Sequence, residues 1–333
     1  MNVSSAGVPP LAFVQLIQSQ ALDPEAVARF RTIMACAGTD ETTLVQRDVQ
    51  VPLRWFREVY PELDVAQATQ LGFAFAEQAQ LTSFGPLSLP LVSAGSVAEI
   101  VELLTYLPLI STALSPQFHP SDQGLAVGLT GHTSDPGLDC LVVAYTGSAL
   151  LRLLDMLAGD VSTVELHLNW PVPAFLLNHE HLLAGRLFFD APMSFLHVPA
   201  DTLNEVCRFS DPLAYRLAIL ELRRTLDQRT GTTLFSEKVR RLLEAHPGQR
   251  SSRWVAGELS ISASTLKRRL SEEGTTFREL RDSFLRERAM VRLLDRSKSV
   301  NEIAMDLGYS DLTNFSHAFK RWTGRSPSKF RHA

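Results

Sequence analysis

The strongest constraint on the fold is a pattern written twice. "VAGELSISASTLKRRL" (255–270) and "IAMDLGYSDLTNFSHAF" (303–319) align residue by residue. Val255, Ala256 and Leu259 correspond to Ile303, Ala304 and Leu307, and Ser262 to Ser310. With one residue inserted in the second copy, Leu266 and Leu270 match Phe315 and Phe319. Apolar residues three and four apart share one helix face, so each copy reads as helix, sharp turn, helix. Ala256 and Ala304 are small where two helices should cross closely. Gly308 can take the positive φ that such a turn requires.

Flanking segments complete an all-helical third. "FSEKVRRLLEAH" (235–246) sets Val239, Leu242 and Leu243 on one face, and "PGQ" breaks the chain after it. Ser262 can cap "ASTLKRRLSEEG", which Gly274 stops. "TTFRELRDSFLRERAMVRLLDR" (275–296) is a long helix whose stripe is Phe277, Leu280, Phe284, Leu285, Ala289 and Leu293. Ser326-Pro327 opens a short last helix holding Phe330.

Charge divides at the same place. The net charge is −4, from 32 basic and 36 acidic residues. From Thr233 onward 20 Lys and Arg face 12 Asp and Glu, while residues 1–232 hold 12 and 24. One end is therefore positive by 8 and the other negative by 12. Such asymmetry points to a polyanion partner for one end; the alternative is a solvated helical surface.

The two copies, the helix between them and the terminal "GRSPSKFR" resemble the DNA-binding domain of the AraC/XylS transcription regulators, over residues 235–331. One helix-turn-helix would be a weak signal, whereas two in register are specific. The resemblance implies two recognition helices entering successive major-groove segments, about one helical turn (~34 Å) apart. Candidate base contacts are Ser264, Lys267 and Arg268 on the first and Thr313, Asn314 and His317 on the second. Lys267 and Arg268 can donate to guanine O6 and N7; Asn314 can pair bidentately with adenine. Ser271, Ser316, Lys320, Arg321, Arg325 and Lys329 are candidate phosphate contacts. Each is otherwise a solvated helix residue. Arg269, Arg281 and Arg292 read as surface or intramolecular pairs.

Residues 1–228 carry mixed signals and read as an α+β domain. Helices are expected at "DPEAVARFRTIMACAG", "DVAQATQLGFAFAEQAQ", "SVAEIVELLTYLPLI", "SALLRLLDMLAG", "PAFLLNHEHLLAG" and "DPLAYRLAILELRRTLDQ". Strands are expected at "GLAVGLTG", "DCLVVAYTG", "TVELHLNW" and "APMSFLHVP". "RTGTT" begins the linker, set at 229–234, before an all-α domain at 235–333 of two helix-turn-helix units joined by a linker helix. "LGFAFAEQAQLTSFGPLSLPLVSAGSVAEIVELLTYLPLI" and "HEHLLAGRLFFDAPMSFLHVPADTLNEVCRFSDPLA" resemble the arabinose-binding-like domain of one branch of the same regulators. This second resemblance is looser. It implies a small organic effector, a homodimer, or both, without arabinose being the ligand.

No catalytic set emerges. His179 and His181 of "HEH" lie two apart in an expected helix and point to different faces, against the i,i+3 or i,i+4 spacing of helical metal ligands. His119, His132, His167 and His197 show no cysteine or carboxylate partner. GxSxG and GxxxxGK[ST] are missing. Cys36, Cys140 and Cys207 are dispersed, which fits neither a zinc site nor a disulfide framework and suits a reducing cytosol. Neither cofactor nor metal is expected. Phe84, Tyr106, Tyr145, Trp170, Phe188, Phe189 and Phe195 could line a ligand pocket or simply form core. The start lacks the basic segment of a secretory signal, and the longest apolar run, "LLTYLPLI", is about half a membrane span. The expectation is a cytoplasmic, non-enzymatic regulator, an activator by its family, acting on double-stranded promoter DNA with RNA polymerase. The alternative is a DNA-binding protein whose first domain only dimerises or meets a protein.

Overall fold

The computed structural model describes residues 6–47, 49–133, 135–176, 185–230, 235–246, 251–294 and 298–331. The chain forms two compact units, Met1–Asp227 and Gln228–Ala333.

The first unit opens with β1 (Gly7–Val8) and α1 (Pro10–Gln18), then α2 (Pro24–Cys36), α3 (Glu41–Gln46), β2 (Val51–Pro52), α4 (Arg54–Val59) and α5 (Val65–Gln78). Proline at the first turn gives up no hydrogen bond, and Asp23 caps α2 by accepting the Ala26 N–H at 2.8 Å. A kinked 3-10 segment (Leu81–Leu87), α6 (Ser88–Ser93), α7 (Val97–Glu102) and a second 3-10 segment (Leu103–Leu109) follow. The single helix expected over "SVAEIVELLTYLPLI" thus tightens midway. Pro108 has no N–H to give and its ring crowds the carbonyl four residues back.

A five-stranded sheet comes next, from β3 (Leu114–Ser121), β4 (Gly124–Gly131), β5 (Glu165–His167), β6 (Leu187–Phe188) and β7 (Phe195–Pro199), in the order β3-β4-β7-β5-β6. All pairings are antiparallel except β5 with β6. The sequence did not mark β3 as a strand because it contains Pro116 and Pro120. It lies at the sheet edge, where a missing N–H is tolerated.

The expected strand "DCLVVAYTG" is instead the middle of α8 (Pro136–Leu157). Asp135 caps it, accepting the N–H groups of Gly137 and Leu138 at 3.0 and 3.2 Å. Sixteen residues of this helix are buried, so it has no polar face to reveal its period. A short apolar run within it cannot be told from a buried strand. By length and composition alone α8 could cross a membrane, yet most of it is buried inside the unit. It crosses α5 closely: a Cβ on Gly72 would fall 2.7 Å from the Ala144 Cβ. Phe75 stacks on Tyr145 beside this crossing, with ring centroids 4.2 Å apart.

The unit closes with α9 (Ala200–Leu203) and α10 (Pro212–Thr230). Tyr215 and Leu222 bury one face of α10, while Leu213, Leu217 and Leu220 stand 58–62% exposed on another. Arg229 and Thr230, expected in the linker, are helical. Residues 231–234, the "PGQ" break, the "HEH" histidines and most of "PAFLLNHEHLLAG" lie outside the described residues; Ala174–Leu176 is a 3-10 turn.

The second unit is all helix: α11 (Phe235–Ala245), α12 (Ser252–Glu258), α13 (Ala263–Glu272), α14 (Phe277–Leu294), α15 (Val300–Asp306), α16 (Leu312–Thr323) and α17 (Pro327–Arg331). It has two separate cores. Val239, Leu243, Val255, Ala256, Leu266 and Leu270 pack on Phe284 and Leu285 of α14. Ile303, Ala304, Leu307, Phe315, Phe319 and Phe330 pack on Ala289 and Leu293 of the same helix. At 1.5 Å per residue α14 is a rod of about 27 Å, and Trp322 packs against both cores.

Candidate DNA interface

The repeat in sequence is a repeat in backbone. After α12 the N–H of Ile261 bonds the Ala256 carbonyl at 2.9 Å and that of Ser260 bonds Gly257 at 2.9 Å. After α15 the N–H of Tyr309 bonds Ala304 at 2.9 Å and that of Gly308 bonds Met305 at 2.7 Å. Both are the two-bond helix stop that needs a left-handed residue. Gly308 supplies it with φ 70°, as its type suggested; Ser260 supplies it with φ 54°. The sequence hid this second position, because serine lacks glycine's freedom. The left-handed conformation costs an L-residue roughly 1–2 kcal/mol. Ser260→Gly is therefore expected to raise unfolding stability by about 0.5–1 kcal/mol, after glycine's larger chain entropy is deducted. Denaturant titration checks it, and a loss of stability would contradict it.

Caps fix where each recognition helix begins. Ser262 starts α13 by accepting the Thr265 N–H at 3.1 Å. Asp311, the residue inserted in the second copy, starts α16 by accepting the Asn314 N–H at 2.7 Å. That bond, with others from Ser310, Thr313 and the Asn314 amide, outweighs desolvation and holds the Asp311 carboxyl below its ordinary value. Glu273 ties α13 to α11 by accepting the N–H groups of Phe235 and Ser236. Burial works against its charge, but those hydrogen bonds prevail and lower its pKa.

Leu266, Leu270, Phe315 and Phe319 are fully buried, which turns the opposite faces of α13 and α16 outward. Ser264, Lys267, Arg268 and Ser271 are exposed along α13, as are Thr313, Asn314, His317 and Lys320 along α16; Ser316 is half-buried. Three of these groups already have partners. The Ser264 hydroxyl lies 2.8 Å from that of Ser262. Arg268 pairs with Glu272 one turn on at 2.6 Å. The Asn314 amide donates to Asp311 at 2.6 Å. Arg321 reaches Asp282 of α14 at 3.2 Å, while Arg325 and Lys329 are exposed around α17. Arg292 pairs with Asp306 at 2.7 Å, Arg281 with Asp282 at 3.3 Å, and Arg269 lies 5.3 Å over the Phe235 ring, all within the unit.

In the first unit one sequence expectation is corrected. Glu165 is a carboxylate partner for two histidines: its Oε2 lies 2.9 Å from His167 Nε2 and 4.0 Å from His197 Nδ1. The register of β5 against β7 sets Glu165 opposite His197, a long-range pairing that spacing along the chain does not show. His167 is stacked between Phe188 and Phe195 at 4.8 and 4.4 Å. His197 is lowered, mainly by burial, against the pull of Glu165. Among the described residues no group of three His, Cys, Asp or Glu could hold a metal. Cys36, Cys140 and Cys207 are unbonded. Burial pushes the Cys140 and Cys207 thiols up to about 11, with Asp139 and Glu99 adding to it, so neither offers a thiolate nucleophile. Of the aromatic residues weighed as pocket lining, Phe84 and Tyr145 border an apolar cavity, while Tyr106 accepts a hydrogen bond from Arg223 at 3.1 Å.

The arrangement is that of a DNA-binding regulator, and family comparison agrees. The profile described as "Arabinose-binding domain of AraC transcription regulator, N-term" matches residues 28–206, and one described as "Helix-turn-helix domain" matches 255–333. The chain belongs to the AraC family of transcription regulators. It is similar to the ornithine utilization regulator of Pseudomonas aeruginosa, 27% identical over 79% of this chain and 78% of that one. It is also similar to the regulator VqsM of the same organism, 31% identical over 40% of this chain and 42% of that one. The transcriptional activator AggR of Escherichia coli is 28% identical over 38% of this chain and 49% of its own.

Proposed function

We propose that the protein is a cytoplasmic, non-enzymatic transcription activator that grips one face of promoter DNA with α13 and α16 and is controlled by a small organic effector held in its first unit. The carrying observation is the doubled helix-turn-helix on one shared rod, with its polar faces outward. Ser264, Lys267 and Arg268 read bases in the first groove segment, and Thr313, Asn314 and His317 in the second. Ser271, Ser316, Lys320, Arg321, Arg325 and Lys329 hold phosphates. Activation follows the family and the name of AggR, a transcriptional activator, and contact with RNA polymerase follows the family alone. Effector binding shifts an existing balance of states, and so promoter affinity.

The two recognition helices contribute unequally. Freeing Arg268 breaks an exposed i,i+4 ion pair worth about 0.3–0.5 kcal/mol, less than the roughly 1–3 kcal/mol of a bidentate guanine contact. Freeing Asn314 breaks its amide hydrogen bond to the Asp311 carboxylate, which caps α16. The first recognition helix, α13, is therefore the stronger reader. Genome-wide footprinting of the full-length protein at fixed salt tests the whole reading; discrete sites support it, and binding without discrete sites overturns it.

Leu213, Leu217 and Leu220 have the 4-then-3 spacing of a two-stranded helical seam, with Tyr215 and Leu222 holding α10 to its own unit from the other side. The occupant that fits is the same face of a second copy, which closes with two-fold symmetry. Leu217→Arg is expected to turn a dimer into a monomer in sedimentation equilibrium without unfolding it. An unchanged mass would sink this assignment.

A further inference from the structure

We infer that the effector site of the first unit is the apolar cavity between α8 and the two 3-10 segments, and that it takes a neutral, mostly hydrocarbon molecule carrying one hydrogen-bond acceptor. This rests on the effector reading above. The cavity measures about 50 Å³ at the centres of water-sized spheres. At roughly 10–15 Å³ per sphere it accepts a group the size of a benzene ring or a short branched alkyl. Its wall is Phe84, Ile100, Leu104, Leu107, Ala149 and their neighbours, and no ionisable side chain other than Tyr145 borders it. A sugar would leave several hydroxyls unsatisfied there, and a carboxylate would be desolvated without a counter-charge; both are costly.

Tyr145 supplies the buried, unpaired hydroxyl that singles out an acceptor. Its ring is fixed against Phe75, and its hydroxyl is buried with no hydrogen-bond partner among the described residues. Buried hydroxyls are almost always paired, so this one is available to a ligand. Burial also raises its pKa, which keeps it a neutral donor rather than a phenolate. Of the other two hydroxyls in the wall, that of Ser111 is occupied, donating to the Gly7 carbonyl at 2.8 Å, and Thr146 is half-buried. A ketone, ester or ether oxygen meets the requirement; an aliphatic hydrocarbon fills the space without it.

The test uses the full-length protein and two molecules of nearly equal shape, acetophenone and ethylbenzene, with benzoate and L-arabinose beside them. A ligand that binds only the folded state raises the melting temperature. Acetophenone and ethylbenzene are expected to raise it at millimolar concentration, and benzoate and arabinose to leave it unchanged. Tyr145→Phe keeps the ring and is expected to weaken acetophenone about three- to tenfold while moving ethylbenzene less than about twofold. Ala149→Leu fills the space and abolishes both shifts. Binding that survives Ala149→Leu, equal effects of Tyr145→Phe on both molecules, or shifts with arabinose or benzoate alone would each overturn the assignment; if Ala149→Leu does not fold, the Tyr145→Phe contrast decides. Affinity for promoter DNA separates the two claims. Occupancy of the cavity without any change in DNA binding leaves the site standing and removes effector control. A compound that alters DNA binding equally in wild type and Ala149→Leu keeps effector control and removes this site.

Discussion

The variant Lys267→Ala/Arg268→Ala is expected to lose about 3 kcal/mol of affinity for a specific operator, on the order of a hundredfold in Kd. Both side chains are exposed on the outer face of α13, and neither contributes to the core formed by Leu266 and Leu270. Surface changes of this kind move folding stability by no more than about 0.5 kcal/mol, so the melting curve should not change. The Arg268–Glu272 pair does not alter the conclusion, because its exposed geometry makes it cheap to break. Random-sequence DNA supplies the control. If the variant weakens specific and random DNA equally, the two residues hold phosphates and the reading of bases lies elsewhere. A steep salt dependence is expected in both cases, since cation–phosphate contacts release counterions.

How much was legible in advance follows from the range of the signal. The helix-turn-helix units are local structures. Their period, caps and stops are set by residues within five positions of one another, and Ser262, Gly308 and Ser326 carried that information openly. Ser260 did not, because its left-handed backbone is imposed by the helix stop rather than by its side chain. In the first unit the informative contacts are distant in sequence. Glu165 meets His197 only through strand register, and β3 is a strand despite two prolines only because it is an edge. The misread middle of α8 is the plainest case. "LVVAY" favours a strand by composition, and only burial on every side, between α5 and the sheet, makes a helix there stable. The cavity beside Tyr145 is assembled from four separated stretches, 8–9, 84–91, 100–111 and 142–153, so single residues could be named as possible lining but not brought together.

The same division into two cores makes the effect of Phe319→Ala a test of how the DNA-binding unit works. Phe319 is fully buried among Phe315, Phe330, Ile303 and Leu293, and its truncation is expected to cost about 3–5 kcal/mol. That loss is comparable with the whole stability of so small a core, so α15–α17 should unfold. The first core shares no buried residue with the second; it meets it through α14 and Trp322. It should therefore persist, and Trp254, in the first, should keep its native fluorescence while Trp322 loses it. On DNA the footprint should contract to the single groove segment proposed for α13, with a shallower salt dependence because the phosphate contacts proposed for Lys320, Arg321, Arg325 and Lys329 would be gone. Leu270→Ala, at about 2–5 kcal/mol, should remove the first core instead and with it the stronger reader. If Phe319→Ala abolishes all binding while Trp254 remains native, a single recognition helix is too weak to hold DNA, and the two units act as one obligatory clamp. If both tryptophans report unfolding together, α14 couples the cores so tightly that the repeat visible in the sequence is a single cooperative domain.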